Sequence, residues 1–246
     1  MPVFLFVITY VIIINMQQYF YEEKLDLLEV YPLNDEILHH MKNVLRKKDG
    51  YKFRLVDKTQ TCYLCELEDD KAKVVEKIEE DHELDINVTV IMSLIKSDKF
   101  ELTLQKLTEL GVKRIVPYNA NRSIIKIKDE KHKLERYRKI VMEASEQSHR
   151  DIVPEITNII GYKDLDKFLS KYNFVAYEKN QGNYIDYHTL DGSITYIIGP
   201  EGGFEIQEIE NFEKLGFECK SLGKRILRAE TAAIFVISNI VGASER

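Results

Sequence analysis

Two segments of the chain hold residue types and spacings that could do chemistry on a small molecule. Residues 199–204 read Gly-Pro-Glu-Gly-Gly-Phe, and residues 221–233 read Ser-Leu-Gly-Lys-Arg-Ile-Leu-Arg-Ala-Glu-Thr-Ala-Ala. Each segment lies where an apolar run ends and a helical pattern begins. Both are therefore predicted to be loops at the carboxyl ends of strands, where α/β sheets hold ligands. Two such loops close together predict one small-molecule site.

The first loop is rich in glycine, which allows positive φ and a close approach of the backbone to a ligand. Gly199, Gly202 and Gly203 supply this freedom, and the proline after Gly199 stiffens the entry to the loop. The pattern matches neither the phosphate loop nor the G-x-G-x-x-G dinucleotide fingerprint. The alternative is a plain strand-to-helix turn in which Glu201 merely caps the helix that begins near Glu205, because a carboxylate is favourable near a helix N-terminus.

The second loop is apolar where a connecting loop should be polar. Leu222, Ile226 and Leu227 are predicted to clamp something flat and hydrophobic. The charged residues beside them are Arg225, Arg228 and Glu230. A buried Arg–Glu pair that only holds the loop in place is the alternative for these charges.

Alternating strand and helix patterns surround the two loops from about residue 86 onward. Strands are predicted at 88–95, 112–117, 152–153, 174–177, 194–198 and 217–222. Helices are predicted around the apolar faces of 100–107 and 134–144, and at 165–169, 206–215 and 231–241. The alternation predicts an α/β fold with a mainly parallel sheet and helices on both faces. The last helix is apolar nearly all round and is predicted to be buried.

The preceding segment, residues 16–85, has the pattern of short strands with one helix. Asn34 is a good N-cap candidate for a helix whose apolar face holds Ile37, Leu38, Met41 and Leu45. Strands are predicted at 51–55, 61–67 and 72–78, with an acidic turn before the last of them. A small β-barrel is the predicted structure.

Residues 1–15 are almost wholly apolar, whereas the sequence from Met16 is mixed and polar. The run is shorter than the roughly 20 residues that a bilayer span needs, and it lacks the basic start and cleavage site of a signal peptide. A misassigned start, with translation beginning at Met16, is the favoured interpretation. A membrane anchor is the alternative.

The three cysteines, an odd number, give no disulfide framework and form no Cys/His cluster at metal spacing. They fit a reducing compartment, and a cytoplasmic location is predicted. Cys62 and Cys65 form the one suggestive pair. They lie within an apolar strand-like run and lack a second pair of ligands, so no metal site is predicted.

The net charge of −6 alone argues against nucleic acid as a partner. The distribution of charge favours it, because basic residues outnumber acidic ones in two patches, at 42–54 and at 122–139. Such patches can neutralise phosphates on an otherwise acidic chain. For the second patch, a solvated helix face with i,i+4 ion pairs is the alternative.

The combined pattern resembles the bacterial ribosomal RNA uridine-N3 methyltransferases of the SPOUT superfamily. The resemblance runs from Met16 to the C-terminus and ends in the two loops. It includes Met-Gln-Gln-Tyr-Phe at 16–20, His-His-Met-x-x-Val-Leu-Arg at 39–46, Lys-Ser-Asp-Lys-Phe-Glu at 96–101, Thr-Glu-Leu-Gly at 108–111 and Glu-Ala-Ser-Glu-Gln-Ser at 143–148. Residues 1–15 have no counterpart in the family.

The resemblance implies a PUA-like RNA-binding barrel at 16–85 and a methyltransferase domain at 86–246 that contains a trefoil knot. It also implies a homodimer, without a metal or a membrane, that binds S-adenosylmethionine and small-subunit ribosomal RNA. By the resemblance, the cofactor contacts are Gly199, Glu201, Gly202, Gly203, Leu222, Gly223, Ile226, Leu227, Thr231 and Ala232.

The implied reaction is in-line transfer of a methyl group to uridine N3. Arg228 is the predicted stabiliser of negative charge and Glu230 a candidate base. The target base must be unstacked to expose N3. The residues expected to contact RNA are His40, Lys42, Arg46, Lys47, Lys52, Arg54 and Arg122.

Three alternatives stay open at this point. The chain could methylate another RNA position, such as a ribose 2′-hydroxyl, or it could be a silent RNA-binding assembly factor that keeps the fold. For His39 and His40, one ring packed beneath the helix and one exposed is the alternative to base contact.

Overall fold

The computed structural model describes residues 16–123, 125 and 129–245. These residues form two compact units. The first contains the described residues up to His82 together with Glu146–Asp151, and the second contains Glu83–Ser145 and the described residues from Ile152 onward. The apolar segment 1–15 lies outside the described residues.

The first unit is built on a five-stranded sheet with the order β1-β3-β4-β5-β2. Its strands are β1 (Gln18–Phe20), β2 (Val30–Pro32), β3 (Lys52–Val56), β4 (Cys62–Glu68) and β5 (Lys71–Lys77). β1 pairs parallel with β3, and the other pairs are antiparallel. Asp69 and Asp70 form the turn between β4 and β5 with φ of 49° and 63°, as a two-residue hairpin requires. The three strands expected between 51 and 78 are thus confirmed.

The predicted helix of this unit begins as expected and then widens. The Asn34 side chain accepts a hydrogen bond from the Ile37 amide at 2.9 Å, and α1 (Asp35–His39) follows. The helix continues as a π-helical turn, His40–Val44, in which the Leu45 amide donates to the His40 carbonyl at 2.9 Å. Ile37 and Met41 are buried, so the predicted apolar face does point into the unit.

The second unit is built on a six-stranded sheet in which every pair is parallel. Its order is β11-β9-β10-β6-β7-β8. The strands are β6 (Asn87–Ser93), β7 (Arg114–Tyr118), β8 (Glu155–Ile156), β9 (Tyr172–Ala176), β10 (Ser193–Ile198) and β11 (Glu218–Lys220). The predicted α/β class with a parallel sheet is confirmed.

One strand prediction was wrong in position. The strand expected at 152–153 lies at Glu155–Ile156. The Ile152 amide instead donates to the Glu83 carboxylate at 3.1 Å. Pro154 has no N–H, so the pairing with β7 begins at the Glu155 amide, which donates to the Lys113 carbonyl.

Helices cover both faces of the parallel sheet. The α-helices are α2 (Ser97–Glu109), α3 (Glu130–Gln147), α4 (Ile206–Lys214) and α5 (Ala229–Ser244), and single 3₁₀ segments lie at Tyr162–Phe168 and Tyr187–Thr189. On β10, Tyr196 packs with α2, α3 and α5 on one face, whereas Ile197 packs with α4 and the first 3₁₀ segment on the other. Where a helix was expected at 165–169, the structure has the 3₁₀ segment Tyr162–Phe168.

The prediction that α5 is buried all round was wrong for its outer face. Val236, Ile237 and Ile240 are buried against the sheet, but Phe235 is 37% exposed. Thr231 and Ser238 are exposed on the same outer side. The helix covers the sheet with one face only, as a helix in an outer layer does. None of the described helices is long and apolar enough to cross a membrane.

Candidate functional site

A cavity of about 360 Å³ opens at the carboxyl ends of β9, β10 and β11, within the second unit. Its size lies within the range of small-molecule sites. The wall contains Lys99, Ala176, Tyr177, Glu178, Ile198, Gly199, Pro200, Glu201, Ser221, Leu222, Gly223, Arg225, Ile226, Leu227, Arg228, Ala229 and Ala232. The two loops expected to form one site therefore do meet. Of the residues predicted to contact the cofactor, Gly202, Gly203 and Thr231 lie outside this wall.

The glycine loop forms a tight turn between β10 and α4. The Gly203 amide donates to the Pro200 carbonyl at 2.9 Å, and Gly203 has a φ of +65°, in the left-handed region. At Gly199 the turn is crowded, because an added Cβ would lie 3.0 Å from the Phe204 ring. The glycines thus fit the turn, and the turn places Glu201 at the cavity wall.

Glu201 does not cap α4, contrary to the alternative considered for it. Glu205 is the N-cap residue, and its amide donates to the Glu208 carboxylate at 2.9 Å. Because Glu208 satisfies the helix start, Glu201 is left beside the cavity.

The second loop presents apolar side chains to the cavity. Leu222 and Leu227 are half-buried and pack against the core, whereas Ile226 is 86% exposed. Gly223 turns the loop with a φ of +123°. A large apolar side chain so exposed at the edge of a cavity is placed to cover a ligand, which agrees with the predicted clamp.

The charges of this loop differ from the pair considered in the sequence. Glu230 pairs with Lys99, whose Nζ lies 3.4 Å from Glu230 Oε1. Arg225 and Arg228 line the cavity and are exposed, and neither forms an ion pair within the part of the chain that the structure describes. The Arg–Glu pair is thus replaced by a Lys–Glu pair between α2 and α5.

Glu230 is poorly placed to act as an open general base. Its side chain is 13% exposed, and its Oε1 faces the Lys99 ammonium. Its Oε2 is buried and has no hydrogen-bond partner among the described residues. A base must reach the proton that it removes, and Glu230 has one buried oxygen and one that faces an ammonium.

A third loop, which the sequence interpretation missed, completes the cavity. Tyr177 and Glu178 follow β9 and line the wall. Asn180 and Asn183 both donate side-chain hydrogen bonds to the Cys219 carbonyl, at 2.6 and 2.9 Å, and so fasten this loop to β11. The sequence signal that could have identified this loop as part of the site is its position directly after a parallel strand.

Arg122 lies against the glycine loop. Its Nη1 donates to the Gly202 carbonyl at 3.3 Å, and its Nε lies 3.7 Å from Glu205 Oε1. The preceding Asn121 amide donates to Glu208 Oε1 at 3.0 Å. The residue expected to contact RNA therefore also supports the predicted cofactor loop.

The second basic patch is largely engaged in ion pairs. Lys133 and Arg136 on α3 reach Glu101 on α2 at 3.0 and 2.6 Å. These contacts lower the pKa of Glu101 to about 2, and the hydrogen bond from Arg136 is the largest cause. Lys126 and Lys128 lie outside the described residues. The structure thus favours an ion-paired helix face for this patch, although the pairs run between helices rather than along one.

The first basic patch is mostly exposed. Arg46, Lys48 and Lys52 are exposed, and Lys47 lies 4.5 Å from the centre of the Tyr51 ring. Lys42 forms an ion pair with Asp70. These residues lie within the π-helical turn, just after it and at the start of β3, and they form a cationic surface on the first unit.

Arg54 does not belong to that surface, which corrects the sequence interpretation. Its side chain is 1% exposed and pairs with Glu80 at 2.8 Å. The neighbouring strand residue Gln18 is also buried, and its side chain donates to the Arg150 carbonyl at 2.7 Å. Arg54 is thus a structural residue of the first unit.

The two histidines divide their roles as in the alternative. His40 is half-buried, with its Nδ1 2.9 Å from the Tyr19 hydroxyl, whereas His39 is exposed. Cys62 and Cys65 are buried in β4, and burial raises the pKa of their thiols to about 11 and about 12. No group of potential metal ligands occurs in the described ranges.

Known proteins resemble the chain over most of its length. A family model described as an RNA methyltransferase domain matches residues 82–241, and one described as an RNA methyltransferase PUA domain matches residues 33–78. The chain is 33% identical over 231 residues to the ribosomal RNA small subunit methyltransferase E of Mesomycoplasma hyopneumoniae strain 232, covering 92% of this chain and 99% of that protein. It is 34% identical over 246 residues to the enzyme of the same name from Bacillus subtilis strain 168, covering 92% and 96%.

A solved structure resembles this chain in fold, over about as much of its length as the two relatives above. The ribosomal RNA small subunit methyltransferase E of Neisseria gonorrhoeae, bound to S-adenosyl methionine, superimposes with a TM-score of 0.83 at 32% identity. The alignment covers 91% of this chain and 96% of that one.

Proposed function

The chain belongs to the RNA methyltransferase family that includes the small-subunit ribosomal RNA methyltransferases E, and from this premise we propose that it methylates N3 of a uridine in 16S ribosomal RNA with S-adenosylmethionine. The observation that carries the proposal is the cavity between the glycine loop and the apolar loop. A protein that methylates 16S ribosomal RNA would act in the cytoplasm, and this location is part of the proposal. The trefoil knot stays a prediction.

The residues of the cavity fit S-adenosylmethionine. Leu222, Ile226 and Leu227 offer apolar surface for the flat adenine, whose edge can bond to backbone groups of their loop. Glu178 and Glu201 supply anionic groups for a cofactor that carries a sulfonium and an ammonium. The close turn at Gly199 and Gly203 brings the backbone near the same space.

The reaction needs positioning more than it needs a reactive side chain. When bound, the cofactor would supply a methyl group on a sulfonium whose C–S electron pair returns to sulfur. As uridine N3 gives up its proton to water, negative charge develops on the uracil oxygens, and the methyl group joins N3 and neutralises it. Arg228 lines the cavity and is exposed, so its guanidinium can stabilise that charge.

The exposed cations of the first unit are proposed to bind the RNA backbone. Arg46, Lys47 and Lys52 are available for phosphates, and Lys42 would exchange its contact with Asp70 for one. His40 contributes by orienting the surface through Tyr19. Arg122 joins the set from the second unit, where it also holds the glycine loop.

Two copies of the chain are proposed to pair through α5. Its outer face exposes Phe235 and, in part, Ile234 and Val241, which a self-complementary contact would cover. The molar mass in solution tests this: the wild type should sediment as a dimer and Phe235→Asp as a monomer. A monomeric wild type would contradict the pairing.

Nucleoside mass spectrometry of 16S ribosomal RNA from a strain lacking the gene tests the function. N3-methyluridine should disappear and return when the gene is restored. Unchanged N3-methyluridine would overturn the proposal, and loss of a ribose-methylated nucleoside instead would favour the 2′-hydroxyl alternative. The bound cofactor should be seen separately by titration calorimetry with S-adenosylmethionine, and absence of binding would favour a silent assembly factor.

A further inference from the structure

Lys99 brings a positive charge to the cavity from the first turn of α2. The residue lines the cavity, and its side chain is 26% exposed. The N-terminal turn of a helix carries partial positive charge and disfavours a cation. A lysine at this position therefore needs a compensating partner, and its presence indicates a functional role rather than a contribution to helix stability.

Glu230 is that partner. Its Oε1 lies 3.4 Å from Lys99 Nζ, and the carboxylate belongs to the first turn of α5, where an anion is favourable. With the side chain 13% exposed and Oε2 buried, Glu230 is held within the protein, while Lys99 reaches the cavity. The geometry thus makes Glu230 the support and Lys99 the group that meets a ligand.

The start of α5 also identifies which part of the ligand Lys99 meets. Arg228, proposed to face the target base, is the N-cap residue of α5, and Glu230 follows in its first turn. The apolar surface proposed for adenine comes from the preceding residues of the loop. Lys99 therefore belongs with the group of residues at the base.

We propose that Lys99 is a catalytic residue whose ammonium, aimed by Glu230, stabilises negative charge on a uracil oxygen as N3 loses its proton. The proton passes to solvent water, and the electron pair left on N3 forms the new bond to the methyl carbon while the bond from that carbon to the sulfonium breaks and its electron pair stays on sulfur. Glu230 is then a positioning residue rather than the base. This inference rests on the proposed function, because it assigns a role within the same reaction.

The first test compares Lys99→Met, Lys99→Arg and Glu230→Gln with a matched control, Lys106→Met. Lys106 lies on the same helix and pairs with Glu109 at 2.8 Å, but it is not part of the cavity wall. Single-turnover methylation of unmethylated small subunits at saturating cofactor should fall about tenfold to a hundredfold in Lys99→Met. Lys99→Arg should recover most of the rate, and Lys106→Met should match the wild type.

Calorimetry and the pH profile separate a catalytic role from a structural one. Lys99→Met should bind S-adenosylmethionine with an unchanged Kd. Its residual rate should rise more steeply with pH, because without the ammonium a larger share of N3 deprotonation depends on hydroxide. Glu230→Gln should show a smaller loss with the same steeper profile. A weaker cofactor Kd with a normal saturated rate would place Lys99 at the cofactor and overturn the inference.

An RNA substrate with a more acidic N3 provides an independent readout. A 5-fluoro substituent withdraws electrons and makes uracil N3 more acidic, so an RNA carrying 5-fluorouridine should reduce the defect of Lys99→Met relative to the wild type. An equal defect on both RNAs would contradict the inference. Failure of the proposed function is distinct, because the wild type itself would then form no N3-methyluridine.

Discussion

The Arg122 guanidinium donates to the Gly202 carbonyl at 3.3 Å and so joins the loop after β7 to the glycine loop after β10. Its Nε also lies 3.7 Å from Glu205 Oε1. One arginine therefore supports the turn that borders the cavity from outside its wall.

Removing this support should weaken cofactor binding. Arg122→Met is expected to raise the Kd for S-adenosylmethionine about two- to fivefold, because the contact is exposed and such pairs contribute up to about 1 kcal/mol. Calorimetry without RNA measures it, and Arg138→Met, an exposed arginine of α3 outside the cavity wall, is the control. Unchanged cofactor affinity together with weaker RNA binding would limit Arg122 to the RNA surface.

The two adjacent glycines of the turn should differ in their tolerance of alanine. Gly203 has a φ of +65°, so Gly203→Ala should lower the free energy of unfolding by about 1 kcal/mol. At Gly202 an added Cβ would lie at an ordinary 3.5 Å from Arg122, so Gly202→Ala should change it little. Urea denaturation compares the two, and equal effects would argue against the left-handed turn.

The glutamates at 79 and 80 form a second matched pair. Glu80→Gln removes the charge that pairs with the buried Arg54 and should lower the free energy of unfolding by about 2 kcal/mol. Glu79 is 84% exposed and lies 3.9 Å from Lys77, so Glu79→Gln should have no measurable effect. If Glu80→Gln is as stable as the wild type but binds RNA more weakly, the structural role of Arg54 is contradicted and a role in RNA binding is supported.

The Glu101 cluster predicts a pH dependence of stability. The pKa of Glu101 is lowered from 4.5 to about 2, so its contribution is complete above pH 4.5 and is lost as the pH falls towards 2. Glu101→Gln should be less stable than the wild type by about 1 to 2 kcal/mol at pH 7, a value reduced for the exposure of Arg136. The difference should shrink progressively below pH 4.5 in urea denaturation. A difference that does not change with pH would contradict this role.

The parallel sheet and the two loops could be predicted because their signals are local. Apolar runs alternating with helical faces give the α/β class, a cluster of glycines marks a turn, and leucine or isoleucine in a connecting loop is unusual on its own. The Asn34 cap and the turn at Gly203 follow from single residue types as well. Such features need no knowledge of distant contacts.

Long-range contacts account for what the sequence did not reveal. Arg54 was expected to contact RNA, yet its side chain is buried and pairs with Glu80, and the segment Glu146–Asp151 joins the same unit from far along the chain. Burial is the main cause that lowers the pKa of His149 in that segment, and the positive charge of Arg54 lowers it further. Lys99 and Glu230 are likewise far apart in sequence, so their pairing could be seen only in the fold.

Methylation by the purified protein tests the central claim most directly. Unmethylated small ribosomal subunits would be incubated with S-adenosylmethionine and the protein, and the 16S ribosomal RNA digested for nucleoside mass spectrometry. We predict that N3-methyluridine forms with the wild type and falls sharply with Arg228→Ala at saturating cofactor. A wild type that yields no methylated nucleoside, or only a ribose-methylated one, would contradict the account.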